Sequence, residues 1–202
     1  MSDIFGFSQS LEALGQALIS EAHQVDIITP YGDMHHEFET EQSAYQMFMA
    51  QLGHLQYAQC VAAAIQDCDE EIILIGFSAG ASAIFKALSD IKQVNFNLGK
   101  IKHFIGFYPS QIRHYLALSP ACTTSLIFPD AEVHFDVSAV ILALAEHREV
   151  TCIRTNLNHG FMNSLSEHFA PQMSPAIFAL LGQSKLISDA SQFRHRLSQL
   201  GC

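Results

Sequence analysis

The chain has few positive charges and no long apolar run. Its 202 residues include 10 Lys and Arg against 20 Asp and Glu, which gives a formal net charge of −10. Because such a field repels phosphate backbones and anionic lipid headgroups, we expect neither nucleic acid nor a membrane as a partner. No apolar stretch reaches the ~20 residues that a membrane-spanning helix needs, and the first residues lack the pattern of a secretory signal.

Cysteine is also scarce. There are five cysteines, widely spaced and without a C-x-x-C pair, at positions 60, 68, 122, 152 and 202. An odd number without such pairing argues against a disulfide framework or a zinc site and favours a reducing cytoplasm. The chain is 49% hydrophobic and 15% charged, an ordinary balance for a globular protein. We expect one domain over residues 1–202.

Short apolar runs alternate with amphipathic stretches along the whole chain. This order is typical of an α/β protein, in which parallel strands are joined by helices. The predicted strands are Val25–Thr29, Glu71–Ile75, Ile101–Phe107, Ser125–Phe128 and Val150–Arg154. The predicted helices are Ser10–Glu21, Gln42–Cys68 with a hinge near Gly53, Ala79–Ser89, Ser138–Glu146 and Ser188–Leu200, the last with Ser188 as its N-cap.

A G-x-S-x-G pattern centred on Ser78 stands between a predicted strand and a predicted helix. That context is the one in which a nucleophilic serine occupies a tight turn. The small residues Gly76 and Gly80 fit, because larger side chains there would collide with the adjoining elements. The alternative is that Ser78 merely caps the helix. The flanking elements favour the nucleophile.

A serine nucleophile needs a base, and His159 is the best candidate for it. It lies in a loop directly after the last predicted strand, and Gly160 lets that loop turn. The acid that orients the base belongs in the loop after the preceding strand, which offers Asp130, Glu132 and Asp136. Asp136 directly precedes a helical pattern and is more simply an N-cap. Spacing alone leaves Asp130 and Glu132 open.

In order along the chain, these features resemble the dienelactone hydrolase family of α/β-hydrolases. The landmarks are the residues Asp3-Ile4-Phe5-Gly6, the turn at Ser78, the acidic loop 128–136 and the sequence that begins His159-Gly160-Phe161. The resemblance implies a three-layer α/β-hydrolase fold with a mostly parallel sheet flanked by helices. It also places Glu132 in the triad, although the family usually has Asp there and its namesakes have a cysteine nucleophile.

The resemblance further implies an oxyanion hole formed by the backbone amides of Ile4 and Ala79. Asp3 and Phe5 would then lie beside the substrate, as would Phe77 next to the nucleophile. From their positions at the ends of predicted strands, Tyr31 and Tyr108 are expected to line the cleft. The alternative for Tyr108 is that it forms only a turn with Pro109.

Arg113 follows shortly after the strand that ends near Tyr108. It either lines the cleft or is an exposed helix residue. The first arrangement would favour an anionic substrate.

The start of the chain departs from the family, because only Met1 and Ser2 precede Asp3 where the family has a full interior strand. The N-terminal strands are therefore expected to be shortened or missing. Backbone groups left unpaired on the neighbouring strands would lower the stability of the fold by several kcal/mol. We expect either that the natural start lies upstream of Met1 or that the sheet is weak and the Ile4 amide loosely placed.

The expected function is that of a serine esterase acting on a small-molecule ester, without a cofactor. Short clusters such as His134 with Glu132, or His35 and His36 beside Asp33, are more often solvated side chains than metal ligands. Two alternatives remain: a catalytically idle binding module of the same fold, and a thioesterase or acyltransferase with the same triad. A homo-oligomer is possible, although the last helix is expected to pack on its own domain.

Overall fold

The computed structural model describes residues 1–21, 23–32, 34–92 and 98–201. Asp33 and Cys202 lie outside them. The helices are α1 (Gln9–Ser20), α2 (Glu41–Gln51), α3 (Gly53–Asp67), α4 (Ala79–Ile91), α5 (Val137–Leu144), α6 (Ser174–Leu181), α7 (Ser184–Ser188) and α8 (Ala190–Ser198). The strands are β1 (Ile72–Phe77), β2 (Ile101–Phe107), β3 (Thr124–Phe128) and β4 (Val150–Arg154). Short 3-10 helices cover Leu98–Lys100 and Ser110–His114.

The four strands form one parallel sheet in the order β1-β2-β3-β4. Side chains alternate between its faces: Leu126 and Phe128 join one hydrophobic cluster, and Ile127 between them joins the other. The first cluster includes residues of α2, α3, α4 and α5, and the second includes residues of α1, α6, α7 and α8. The α/β class with helices on both sides of a parallel sheet is therefore confirmed. No helix among the described residues is long and apolar enough to cross a membrane.

The hinge predicted near Gly53 is confirmed. The helix α2 ends at Gln51 and α3 begins at Gly53, which has a φ of 69°. Glycine adopts this left-handed backbone without the steric penalty that a side chain brings. The turn packs Phe48 of α2 against Tyr57 of α3, with ring centroids 5.9 Å apart.

The prediction of a strand at Val25–Thr29 is wrong. The segment forms no strand, and its main-chain contact with the start of the chain is a single hydrogen bond from the amide of Ser2 to the carbonyl of Ile28. Only Met1 and Ser2 lie between this segment and β1. Met1 bonds to the carbonyl of Ile75 and the amide of Phe77 in β1, and Ser2 bonds to Ile28.

The last helix also differs from its prediction. It begins at Ala190, and its N-cap is Asp189, whose carboxylate accepts hydrogen bonds from the amides of Ser191 and Gln192 at 3.0 and 3.1 Å. Ser188 instead ends α7. The carboxylate is the better cap here because it satisfies two amides at once.

Candidate active site

Ser78 occupies a strained turn between β1 and α4. Its φ of 47° and ψ of −112° are unusual for a residue with a side chain. The turn is held by a hydrogen bond of 2.9 Å from the amide of Ser78 to the carbonyl of Phe107, and by one of 3.0 Å from Ser82 to the Ser78 carbonyl. The strand and helix fix both sides of the turn, so the Ser78 hydroxyl has a defined direction.

Two glycines make this turn possible through close backbone approach. A Cβ on Gly76 would lie 2.7 Å from Cα of Ala81, and one on Gly80 would collide with the carbonyl oxygen of Ser2. Both contacts are closer than real Cβ atoms allow. The glycine at position 80 therefore lets the chain start lie directly on the first turn of α4.

His159 lies within hydrogen-bond distance of Ser78. Its Nε2 is 2.9 Å from Oγ of Ser78, and its Nδ1 is 2.6 Å from Oε1 of Glu132. A carboxylate only accepts hydrogen bonds, so Nδ1 carries the proton and Nε2 is left to accept the serine proton. The imidazole is 24% exposed and the Glu132 side chain 8%. This partial burial strengthens the hydrogen bond between His159 and Glu132 and still leaves the imidazole accessible to solvent.

The three carboxylates in the loop after β3 make three different contacts. Glu132 contacts His159, whereas the carboxylate of Asp130 forms an exposed ion pair of 3.3 Å with Arg154. Asp136 caps α5 by accepting from the amides of Ser138 and Ala139. The structure thus brings Glu132, and not Asp130, to the histidine, and the N-cap interpretation of Asp136 is confirmed.

The residues Asp3, Ile4 and Phe5 form a buried loop close to this site. The carboxylate of Asp3 accepts hydrogen bonds from the amide of Phe5 at 3.0 Å and from Nδ2 of Asn163 at 2.5 Å. Burial raises the pKa of Asp3 above its ordinary value, and these hydrogen bonds oppose that rise. Asp3 therefore ties the start of the chain to the loop that carries His159.

Two backbone amides, of Ala79 and Ile4, are available as donors. Ala79 is the first residue of α4, so its N–H has no partner within the helix. Within the described part of the chain, the N–H of Ile4 donates no hydrogen bond, although the neighbouring amides of Phe5 and Gly6 bond to the Asp3 side chain and carbonyl. Unpaired amides of this kind suit an oxyanion.

Tyr31 does not line a cleft, and this expectation is wrong. It is 4% exposed, and its hydroxyl donates to the carbonyl of Ile4 at 2.7 Å. A Cβ on Gly6 would lie 2.6 Å from the Tyr31 ring, so that glycine allows the ring to sit directly against the loop. The Tyr31 hydroxyl therefore holds the carbonyl of Ile4 in position.

The other aromatic candidates are buried beneath the site. Tyr108, 1% exposed and with a φ of 39°, places its ring centroid 4.9 Å from that of His159. Phe77 stacks on Phe107 with centroids 5.2 Å apart, and Phe5 packs edge-on against Phe38. Tyr108 therefore packs against His159, and all three rings are too buried to form a broad substrate surface.

Arg113 belongs to the 3-10 helix after β2. Its guanidinium donates to the carbonyl of Ser110 at 2.6 Å and lies 5.6 Å from the ring centroid of Phe135. These two contacts occupy the guanidinium without involving the serine, the histidine or Glu132. The arrangement gives no support to an anionic substrate.

The histidines considered as metal ligands make other contacts. His35 packs on Phe7 and His36 on Tyr31. Glu132, the partner considered for His134, bonds to His159 instead. Among the described residues, no group of three or more His, Cys, Asp and Glu side chains is placed to hold a metal ion.

Two residues with clear roles here had no role in the sequence analysis. Asn163 binds Asp3 through its side-chain amide, and Tyr57 donates to the Ser2 carbonyl at 3.1 Å. Asn163 follows the histidine by four residues, but nothing local marks its partner 160 positions away. In the sequence, Tyr57 cannot be told apart from an ordinary apolar residue on one face of a helix.

Comparison with known proteins gives a similarity to another protein but no family. No family model matches the chain. The chain is similar to the uncharacterized protein YczH of Bacillus subtilis (strain 168), with 27% identity over 174 residues, 83% of this chain and 81% of that protein. The similarity spans most of both proteins, but the relative's name states no activity, so the functional argument rests on the site itself.

Proposed function

We propose that this protein is a serine hydrolase of the dienelactone hydrolase type, with an α/β-hydrolase fold, that cleaves small esters. One observation carries the proposal: Ser78 Oγ, His159 and Glu132 form a continuous chain of hydrogen bonds of 2.9 and 2.6 Å. The serine also sits in a strained strand-to-helix turn, and the three residues follow the order serine, acid, histidine along the chain.

The proposed reaction starts with attack by Ser78 Oγ on the carbonyl carbon of the ester. As the new C–O bond forms, His159 Nε2 accepts the hydroxyl proton, and Glu132 stabilises the resulting imidazolium. The carbonyl oxygen becomes an oxyanion, for which the amides of Ile4 and Ala79 are the proposed donors. Losing one such donor typically raises the barrier by about 3 to 4 kcal/mol.

The tetrahedral intermediate then expels the alcohol. His159 returns its proton to the leaving oxygen, the C–O bond of the ester breaks, and an acyl group remains on Ser78. A water molecule then loses a proton to His159 and attacks the acyl carbon. The bond between that carbon and Ser78 Oγ breaks, His159 returns the proton to Oγ, and the acid is released. The residues named so far supply each proton transfer.

Labelling with a fluorophosphonate probe tests the proposal directly. The wild-type chain should react at Ser78 within minutes, and Ser78→Ala should not react. Ser82→Ala is the matched control, because Ser82 is a buried serine one turn further along the same helix. Absence of labelling in folded protein would favour the alternative of an idle binding module and would overturn the proposal.

A panel of p-nitrophenyl esters and matching thioesters then defines the substrate. Hydrolysis of short acyl esters above thioesters is the expected result. Faster turnover of thioesters, or transfer of the acyl group to an added amine or alcohol in preference to water, would identify the thioesterase or acyltransferase alternative.

A further inference from the structure

The backbone of Tyr108 is strained. Among the described residues, Ser78 and Tyr108 are the two residues other than glycine with a φ in the left-handed region, at 47° and 39°. Tyr108 also precedes Pro109, and a proline restricts the backbone of the residue before it. The local sequence therefore does not favour this conformation. Such strain persists only where the surrounding structure imposes it, and it is concentrated at functional sites.

The left-handed backbone changes the face of the sheet on which the Tyr108 side chain lies. Consecutive side chains of a strand point to opposite faces, and in β2 Phe104 joins one hydrophobic cluster whereas Ile105 and Phe107 join the other. A continued strand would place Tyr108 on the face of Phe104. Tyr108 instead joins the cluster of Ile105 and Phe107. There it meets His159, with ring centroids 4.9 Å apart.

The peptide group between Phe107 and Tyr108 is held from both sides. Its carbonyl accepts a hydrogen bond from the amide of Ser78 at 2.9 Å, and its N–H donates to the carbonyl of Ile127 in β3 at 2.7 Å. The same two residues thus contact Ser78 through the main chain and His159 through a side chain. The end of β2 therefore helps to fix both groups relative to one sheet.

The ring of Tyr108 is confined on several sides. It is 1% exposed and also packs against Phe161 and Phe77, with ring centroids 5.2 and 6.2 Å apart. The amide of Met162 lies near the hydroxyl and opposes the rise in pKa that burial causes, but among the described residues the hydroxyl proton has no acceptor. Packing of the ring, and not a hydrogen bond donated by the hydroxyl, therefore holds the side chain in place.

The hydrogen bonds of His159 leave one motion of the imidazole weakly restrained. They act at the two ring nitrogens, to Ser78 and Glu132, so a tilt of the ring about the line through these nitrogens changes the two distances little. The Tyr108 ring packs against the imidazole at an interplanar angle of 57° and opposes that tilt. In the proposed reaction, Nε2 must face Ser78 Oγ and then the leaving oxygen, so its alignment affects the rate.

We propose that Tyr108 is a positioning residue for His159, an inference that rests on the proposed function. Its ring, brought to the imidazole by the left-handed backbone, holds Nε2 in line with Ser78 while Nδ1 stays on Glu132. The ring carries this role and the hydroxyl does not. Tyr108 acts through His159 and takes no part in the proton transfers.

Four variants test the proposal with p-nitrophenyl acetate as the substrate. Tyr108→Phe keeps the ring and should keep kcat within about threefold of the wild type, whereas Tyr108→Leu should lower kcat at least about tenfold with little change in KM. Tyr108→Gly should behave like Tyr108→Leu, because glycine keeps the turn without strain and only the ring is lost. Phe193→Leu is the control and should keep kcat, since Phe193 lies in the same hydrophobic cluster but packs against His103.

Three kinetic outcomes would overturn the proposal. The first is a kcat retained in both variants that lack the ring. The second is a loss in Tyr108→Phe as large as in Tyr108→Leu, because the hydroxyl would then carry the effect. The third is an equal loss in Phe193→Leu, which would mean that general loosening of the core is responsible.

Proton NMR gives a second measurement that needs no substrate. The proton between His159 Nδ1 and Glu132 should give a sharp signal far downfield in the wild type and in Tyr108→Phe, and a broadened or absent signal in Tyr108→Gly. An unchanged signal in folded Tyr108→Gly would contradict the proposal. In the wild type itself, absence of a nuclear Overhauser contact between the Tyr108 ring and the imidazole would overturn it, whether or not the variants fold. A wild type that shows these signals but hydrolyses no ester would refute the proposed function alone.

Discussion

The side-chain amide of Asn163 lies 2.5 Å from Oδ2 of Asp3, and both side chains are buried. This contact joins the loop of the proposed oxyanion donor Ile4 to the loop of His159. The proposed base and this proposed oxyanion donor lie far apart in the sequence, so their relative position depends on such a link. In the proposed reaction, a shift of one loop against the other would misalign the proton transfer with the oxyanion donors.

Replacing Asp3 with Ala is expected to destabilise the protein by about 1 to 3 kcal/mol, because the amides of Phe5 and Asn163 lose their buried acceptor. Urea unfolding measures the change. A double-mutant cycle with Asn163→Ala should show a coupling of at least about 0.5 kcal/mol. Additive effects of the two substitutions would contradict the link.

Glu132→Gln is expected to lower kcat for ester hydrolysis by about 10³- to 10⁴-fold. The amide no longer stabilises the imidazolium or enforces the proton on Nδ1 of His159. Asp130→Asn, in the same loop but exposed and paired with Arg154, is the matched control and should change kcat less than threefold. If Asp130→Asn caused the larger loss, the assignment of the acid would be wrong.

Tyr31→Phe is expected to reduce kcat about tenfold with little change in the fold. The ring remains, but the carbonyl of Ile4 loses the hydroxyl that holds it at 2.7 Å, so the adjacent amides are less well aligned. The cost in stability should be about 1 kcal/mol. Tyr45→Phe, on the exposed face of α2, is the control for removing a tyrosine hydroxyl. Steady-state kinetics and thermal unfolding of both variants provide the comparison.

The chain that begins at Met1 should lose stability as the pH falls from 8 to 5. Burial lowers the pKa of the Met1 amino group to about 5 in the folded state, whereas the unfolded chain keeps the value of 8.0. The unfolded state then binds more protons in this window, so acidification favours unfolding, by at most ~4 kcal/mol for a pKa difference of about three. Urea unfolding at pH 8 and pH 5.5 measures the loss.

Acetylation of the amino terminus removes the titrating group and serves as the control. The acetylated chain should show a smaller loss between the two pH values. Identical losses in both forms would mean that other groups, such as His54 with its pKa lowered to about 4 mainly by burial, account for the pH dependence.

Much of the sheet could be predicted because its strands are short apolar runs between turn residues. Ile101–Phe107 and Val150–Arg154 have the predicted bounds, and the helix after Ser78 begins where predicted. Val25–Thr29 has the same apolar character and yet forms no strand. Its apolar side chains are packed, but a strand also needs a main-chain neighbour along its length. Within the described residues, the one main-chain hydrogen bond to this segment from the chain start comes from Ser2.

By itself, the sequence determined the α/β order and the strand-to-helix turn at Ser78, because each follows from residues that are adjacent along the chain. It also identified His159 by its place after the last strand. Only the tertiary structure decided which carboxylate reaches His159, that Tyr31 supports Ile4, and that Asp3 meets Asn163. Those contacts join loops without a periodic pattern, and their geometry is set by where the sheet and helices bring the loop ends together.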